Sequence, residues 1–305
     1  MVAVTDDARE QQLAWEARGR TRAGVAAIVA AVLTLAGFIW FGIVLRDVPA
    51  SGFLESLGSA AEPGAIGEQP SVQAPAIEYY VDRAFGLIGN GVLRCLGVLA
   101  LGWVVTFLAV ATRARRAEFP RLAVYVALVG AVLLGLGTLA QPIDRAIVFS
   151  DFLDGPRTVD DARDLTTTVV ITTELLSYIG RFLVAAGLLL VSLNAMRAGL
   201  LTRFLGIIGV VSGVLFVFPQ LMPVPVVLAF WSIAVGLMLL GVGNVPPAWR
   251  TGKAEPWPTA TEGAQRRRAE EERRQGISRP EPEPQPVPAG RPHPASKKRK
   301  RKRRG

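Results

Sequence analysis

The sequence predicts an all-α fold: a polytopic transmembrane helix bundle of about six spans, followed by a disordered C-terminal tail. Three observations carry this. Half of the 305 residues are hydrophobic, which excludes a disordered chain and is high for a soluble domain. The apolar residues gather in six runs nearly free of charge, and beyond Pro246 and Pro247 the composition turns abruptly to Pro, Arg, Glu and Lys. Charge follows the same division. Residues 245–305 hold 17 Lys and Arg against 7 Asp and Glu, a net of +10, whereas the whole chain carries +9. The bundle is therefore near neutral, and the basic character belongs to the tail.

Residues 1–23 read as a short charged segment on the cytoplasmic side. The bundle follows over 24–244. Crossing roughly 30 Å of hydrocarbon takes about 20 apolar residues. The expected spans are 24–45, 92–112, 122–140, 176–196, 204–218 and 226–243. The first is longer than the apolar core of a signal peptide, so an uncleaved anchor is expected. The fifth is short, and the prolines at 219, 223 and 225 break the chain into a tight hairpin before the sixth. Backbone groups in lipid must be satisfied internally, so these continuous apolar runs are helices. A membrane barrel would alternate over about ten-residue segments instead.

Arginines mark one side of the membrane. Arg9, Arg18, Arg20 and Arg22 precede the first span, Arg113, Arg115, Arg116 and Arg121 follow the second, and Arg197 and Arg203 follow the fourth. The opposite loops, 46–86 and 141–167, are acidic. The positive-inside rule then puts both termini in the cytoplasm of a multi-pass protein of the cell (plasma) membrane. In the first outer loop, residues 75–85 mix aromatic and charged side chains and suit either a short interfacial helix or an ordered loop. In the second, Asp160, Asp161 and Asp164 suit the start of a helix better than a cation site, because no further ligands follow at a defined spacing.

An ionisable residue within a span faces the bundle interior or a water-filled cavity by default. Arg94, Glu174 and Arg181 qualify. Glu174, Tyr178 and Arg181 recur at i, i+4 and i+7 on one helix face, and Asn90 and Arg94 at i, i+4 on another. At 1.5 Å per residue, Arg94 lies about 28 Å from Arg113 and Arg181 about 24 Å from Arg197, so both sit in the outer half. The candidate ligand-binding residues are therefore Glu174, Tyr178, Arg181 and Arg94, around a pocket for a small or lipidic anion. The same residues also suit a buried polar network that fixes helix packing, or contact with lipid headgroups. Gly130, Gly135 and Gly137, and Gly206, Gly209 and Gly213, fit close helix packing.

No catalytic residue, metal ligand set or cofactor motif is expected. The single cysteine, Cys95, reads as a small apolar packing residue, and the single histidine, His293, lies in the tail. Ser212 has no histidine in the membrane to activate it, and no phosphate-binding loop occurs. The tail reads as Pro-rich and disordered, too poor in apolar residues to bury a core. Its end, Lys297, Lys298, Arg299, Lys300, Arg301, Lys302, Arg303 and Arg304, is an unbroken basic run suited to anionic phospholipid headgroups, with non-specific nucleic acid ranked lower.

The charged N-terminus REQQLAWEARGRTRAG, the Gly- and Leu-rich spans, and the PPAW exit into a basic tail together resemble uncharacterised multi-span integral membrane proteins of high-GC actinobacteria. The resemblance covers most of the chain and brings no activity with it. The leading functional reading is thus a non-enzymatic membrane protein with a structural, sensing or assembly role, whose tail contacts the cytoplasmic membrane face. The alternative is a transporter or binder of a small anion or lipid, using Arg181 in the outer half of the bundle.

Overall fold

A computed structural model describes residues 6–49, 66–218, 224–243 and 245–255, with isolated positions beyond. These residues are helical almost throughout. No strand forms among them, only an isolated bridge between Pro70 and Thr158. The helices are α1 (Asp6–Val44), α2 (Ala74–Asp82), α3 (Ala84–Arg115), α4 (Arg121–Asp154), α5 (Val159–Arg163), α6 (Thr168–Arg197), α7 (Arg203–Phe216), α8 (Val224–Leu239) and α9 (Ala248–Thr251). All belong to one unit, Met1–Trp257. The second unit, Pro258–Gly305, which includes the basic run 297–304, lies almost wholly outside the described residues.

Four helical stretches are long and apolar enough to cross a membrane: Asp7–Val44, Ala84–Arg115, Arg121–Asp154 and Val159–Arg197. They correspond to the first four expected spans. The fifth and sixth are apolar helices but short. α7 has 14 residues and α8 has 16, which at 1.5 Å per residue gives about 21 and 24 Å against roughly 30 Å of hydrocarbon. The outer surface of the bundle carries exposed Val29, Trp103, Val132, Phe182, Ile207 and Phe230 among many others. Apolar exposure on this scale suits lipid and would be a liability in water.

The six long and short apolar helices close a ring. α1 packs on α3, α3 on α4, α4 on α6, α6 on α7, α7 on α8, and α8 returns to α1, while α3 touches α6 across the centre. Small residues set the closest approaches. On α4, an added Cβ at Gly130 would lie 2.6 Å from the Val184 amide nitrogen and 2.9 Å from the Gly180 carbonyl oxygen. One turn further on, Gly187 of α6 would meet the Ala127 Cβ at 2.6 Å. Between α1 and α8, Gly236 would meet the Gly24 carbonyl oxygen at 2.9 Å. These contacts let backbones touch in a setting where helix association depends on packing more than on expulsion of water.

Thr158, Thr167 and Thr202 cap α5, α6 and α7, each accepting a hydrogen bond from the backbone N–H three residues on. Thr158 completes a capping box with Asp161. Those hydrogen bonds hold the Asp161 carboxyl below the usual carboxylate range. The acidic segment 141–167 is consequently more helical than a loop. α4 runs through Pro142 to Asp154, and the aspartates open α5. The segment at 75–85 is likewise helical over Ala74–Asp82.

At the arginine-rich end, one buried cluster ties the chain together. Arg115 and Glu16 form a bidentate ion pair, at 2.5 and 2.8 Å, with side chains only 1% and 2% exposed. The guanidinium also donates to the Ala111 carbonyl at 3.0 Å and the Ala248 carbonyl at 2.7 Å. Gln12 donates to Glu16 at 2.9 Å. Trp249 stacks on Phe107 and donates its indole N–H to the Leu200 carbonyl at 2.9 Å. Residues 245–255, the start of the segment expected as tail, are thereby packed chain.

Removing one partner of a buried pair leaves an unpaired charge, so Glu16→Ala should destabilise the protein by about 3–5 kcal/mol. Thermal or denaturant unfolding in detergent measures this, and the Glu16→Met, Arg115→Met double variant should lose less than the two single changes summed. In the same assay Gly130→Val should cost about 1–3 kcal/mol, because its side chain meets backbone that cannot yield.

Candidate functional site

The centre of the ring, towards the acidic end, holds a cavity of about 280 Å³. All six ring helices contribute to its wall, through Gly37 (α1), Arg94 (α3), Thr138 (α4), Arg181 (α6), Phe216 (α7) and Leu228 (α8). The position of Arg94 follows from its neighbours. One turn before it, buried Asn90 donates from Nδ2 to the Gly37 carbonyl at 2.6 Å, pinning α3 to α1. Gly37 then leaves room for the arginine stem: an added Cβ there would lie 2.9 Å from Arg94 Cγ. The aliphatic part of Arg94 crosses α1 where α1 has no side chain, and the residue keeps solvent-accessible surface at the cavity.

Arg181 reaches the same cavity from α6. Its Cζ lies 5.7 Å from the Tyr178 ring centroid, within cation–π range. Tyr178 is itself half exposed. Thr138, also on the cavity wall, donates its hydroxyl proton to the Leu134 carbonyl at 2.6 Å. Among the described residues, no carboxylate lies within 4.0 Å of either guanidinium. Two like charges thus line one cavity with no carboxylate in ion-pairing range among the described residues. Such an arrangement is costly unless an anion or water enters.

Of the four residues expected in the pocket, the structure brings Arg94 and Arg181 to one cavity and Tyr178 to the side of Arg181. Glu174 is directed elsewhere and ion-pairs with Arg145 of α4 at 2.9 Å, both half exposed. A smaller cavity, about 90 Å³, lies beside the first and shares Phe41, Arg94 and Thr138 with it. Asn90, Gln141 and Arg145 add polar groups to its wall. Arg94 therefore lies on the wall shared by two neighbouring cavities, with Arg145 on the wall of the smaller. Sequence reasoning missed Arg145. The signal was present, since Thr138, Pro142, Arg145 and Phe149 recur at three- and four-residue spacing on one face of α4.

No family model, curated protein or solved structure matches the chain. The site rests on its own geometry: two arginines from different helices on the wall of one partly apolar cavity.

If Arg181 were packing glue, its removal would weaken the fold. Without a counter-charge the opposite is expected: Arg181→Met should leave the unfolding midpoint in ligand-free detergent unchanged, or raise stability by about 1 kcal/mol. A loss as large as that of Glu16→Ala would identify a structural arginine.

Proposed function

We propose that this chain is an integral membrane protein that binds an anionic ligand between Arg94 and Arg181. The single observation that carries this reading is the convergence of two arginines, from α3 and α6, on one cavity with no carboxylate within ion-pairing distance among the described residues. Their separation from the arginine-rich end supports a site in the outer half of the bundle. The alternation of basic and acidic connections supports both termini in the cytoplasm of a plasma-membrane protein, with α7 and α8 as the remaining membrane-inserted pair. The reading is non-enzymatic: binding or transport of a small anion or lipid.

The scaffold reading stands second, and a different observation favours it. The chain leaves the bundle from a fixed point, where Trp249 is locked by Leu200 and the Glu255 amide donates to the Ala198 carbonyl at 3.2 Å. A basic tail issuing there is well placed to meet anionic lipid on the same membrane face. The residues that would make that contact, Lys297 to Arg304, lie outside the described residues.

The test is a thermal-shift screen of the detergent-purified protein against pooled small anions and anionic lipids, with Arg181→Ala alongside. A ligand present at 100 times its Kd stabilises the folded state by about 2.7 kcal/mol. The expected result is a rise in midpoint for the native sequence that Arg181→Ala abolishes. A rise that survives the substitution would move the ligand away from this cavity, and no rise with any pool would leave the scaffold reading in its place.

A further inference from the structure

We infer that the ligand of this cavity is an anionic lipid that enters sideways from the adjoining leaflet, headgroup on Arg94 and Arg181 and chain along the short α7–α8 hairpin. This rests on the anion-binding reading above and narrows it to an amphiphile.

The first argument is depth. Arg94 lies 19 residues from Arg113 along α3, about 28 Å at 1.5 Å per residue. Across roughly 30 Å of hydrocarbon, that is the level at which the headgroups of the far leaflet begin. Arg181 lies 16 residues from Arg197 along α6, about 24 Å up and so one turn deeper. A lipid phosphate meeting both needs to sink only a few ångströms below its ordinary position.

The second argument is the wall. α1 and α6 are joined through α7 and α8, which pack on them and on each other. The helical part of that hairpin spans about 21–24 Å and stops roughly 6–9 Å short of the far side. Its last and first helical residues, Phe216 and Val224, both line the cavity. Among the described residues, the side of the ring between α1 and α6 is built from these two short helices alone. Two of the α1 residues lining the cavity, Phe38 and Phe41, are 38% and 44% exposed, and it is on this α1 side that we place the lipid's entry.

The third argument is polarity and size. Positive charge occupies one part of the lining, and Val98, Leu101, Phe216, Val224 and Leu228 make another part apolar. A small hydrated anion has no use for that surface, whereas an acyl chain does. At about 280 Å³ the cavity is near the lower end of small-molecule sites. It holds a headgroup and the start of a chain, and the remainder of the lipid stays in the bilayer through the lateral opening.

The experiment is native mass spectrometry of the full chain in non-ionic detergent, titrated with phosphatidylglycerol, phosphatidylcholine or inorganic phosphate. Arg94→Gln, Arg181→Gln and Leu228→Trp are run alongside. The expected result is one phosphatidylglycerol bound at least about tenfold more tightly than phosphatidylcholine, with each arginine substitution weakening it about tenfold, the scale of one lost charged hydrogen bond. Leu228→Trp, which keeps both charges and fills the apolar wall, should weaken phosphatidylglycerol similarly. If inorganic phosphate binds and displaces phosphatidylglycerol, and Leu228→Trp has no effect, the lipid assignment falls and the anion site stands. If all three variants bind phosphatidylglycerol as the native sequence does, both fall.

Discussion

The guanidinium of Arg115 is the point at which distant parts of the chain become one body. It holds Glu16, 99 residues away, with both of its terminal nitrogens, and its remaining capacity goes to backbone carbonyls of α3 and of the chain leaving α8. Every polar atom of the pair is thus matched, which is the condition under which a buried ion pair is tolerable. Around it, Trp15, Phe107 and Trp249 stack in series, and Trp249 reaches on to the connection between α6 and α7. Arg20 adds a further tie, donating to the Leu239 carbonyl at the end of α8 at 2.7 Å. The ring of helices is closed at this end by directional bonds and along its length by the fit of small residues.

The two ends of the bundle treat charge in opposite ways. At the arginine-rich end, a buried arginine has a carboxylate, two backbone carbonyls and an aromatic face. At the other, Arg94 and Arg181 face a cavity with a tyrosine ring and a threonine hydroxyl for company. The same residue type is completed internally in one place and has no carboxylate partner among the described residues in the other. This contrast separates a structural arginine from a binding one more surely than depth in the membrane does.

The broad architecture was legible because hydrocarbon imposes a length and a polarity that composition alone reveals. The i, i+4 placement of Asn90 and Arg94 also survived, since helical spacing fixes which residues share a face before any packing is known. Small-residue spacing pointed correctly to close helix contacts, and the aspartates at 160 and 161 to a helix start. Other features were hidden for identifiable reasons. Glu16 and Arg115 read as ordinary charges flanking spans, because nothing local distinguishes an arginine that sets topology from one buried against a partner 99 residues away. The continuation of α4 to Asp154 was masked by Pro142 and by acidic residues that resemble a loop. Glu174 was grouped with Arg181 by spacing, but its position at the rim lets Arg145 of the neighbouring helix take it first. Periodicity assigns faces, and it does not say which of two adjacent helices supplies the partner.

The length of α1 has a structural consequence. It runs unbroken from Asp6 to Val44, with no proline, and it carries Glu16 near one end and Gly37, Phe38 and Phe41 near the other. From Glu16 to Phe41 is about 37 Å of continuous helix. One continuous helix thus supplies both a wall of the cavity, through Gly37, Phe38 and Phe41, and the carboxylate that holds Arg115. The cavity and the point from which the C-terminal segment departs are thereby built on the same helix.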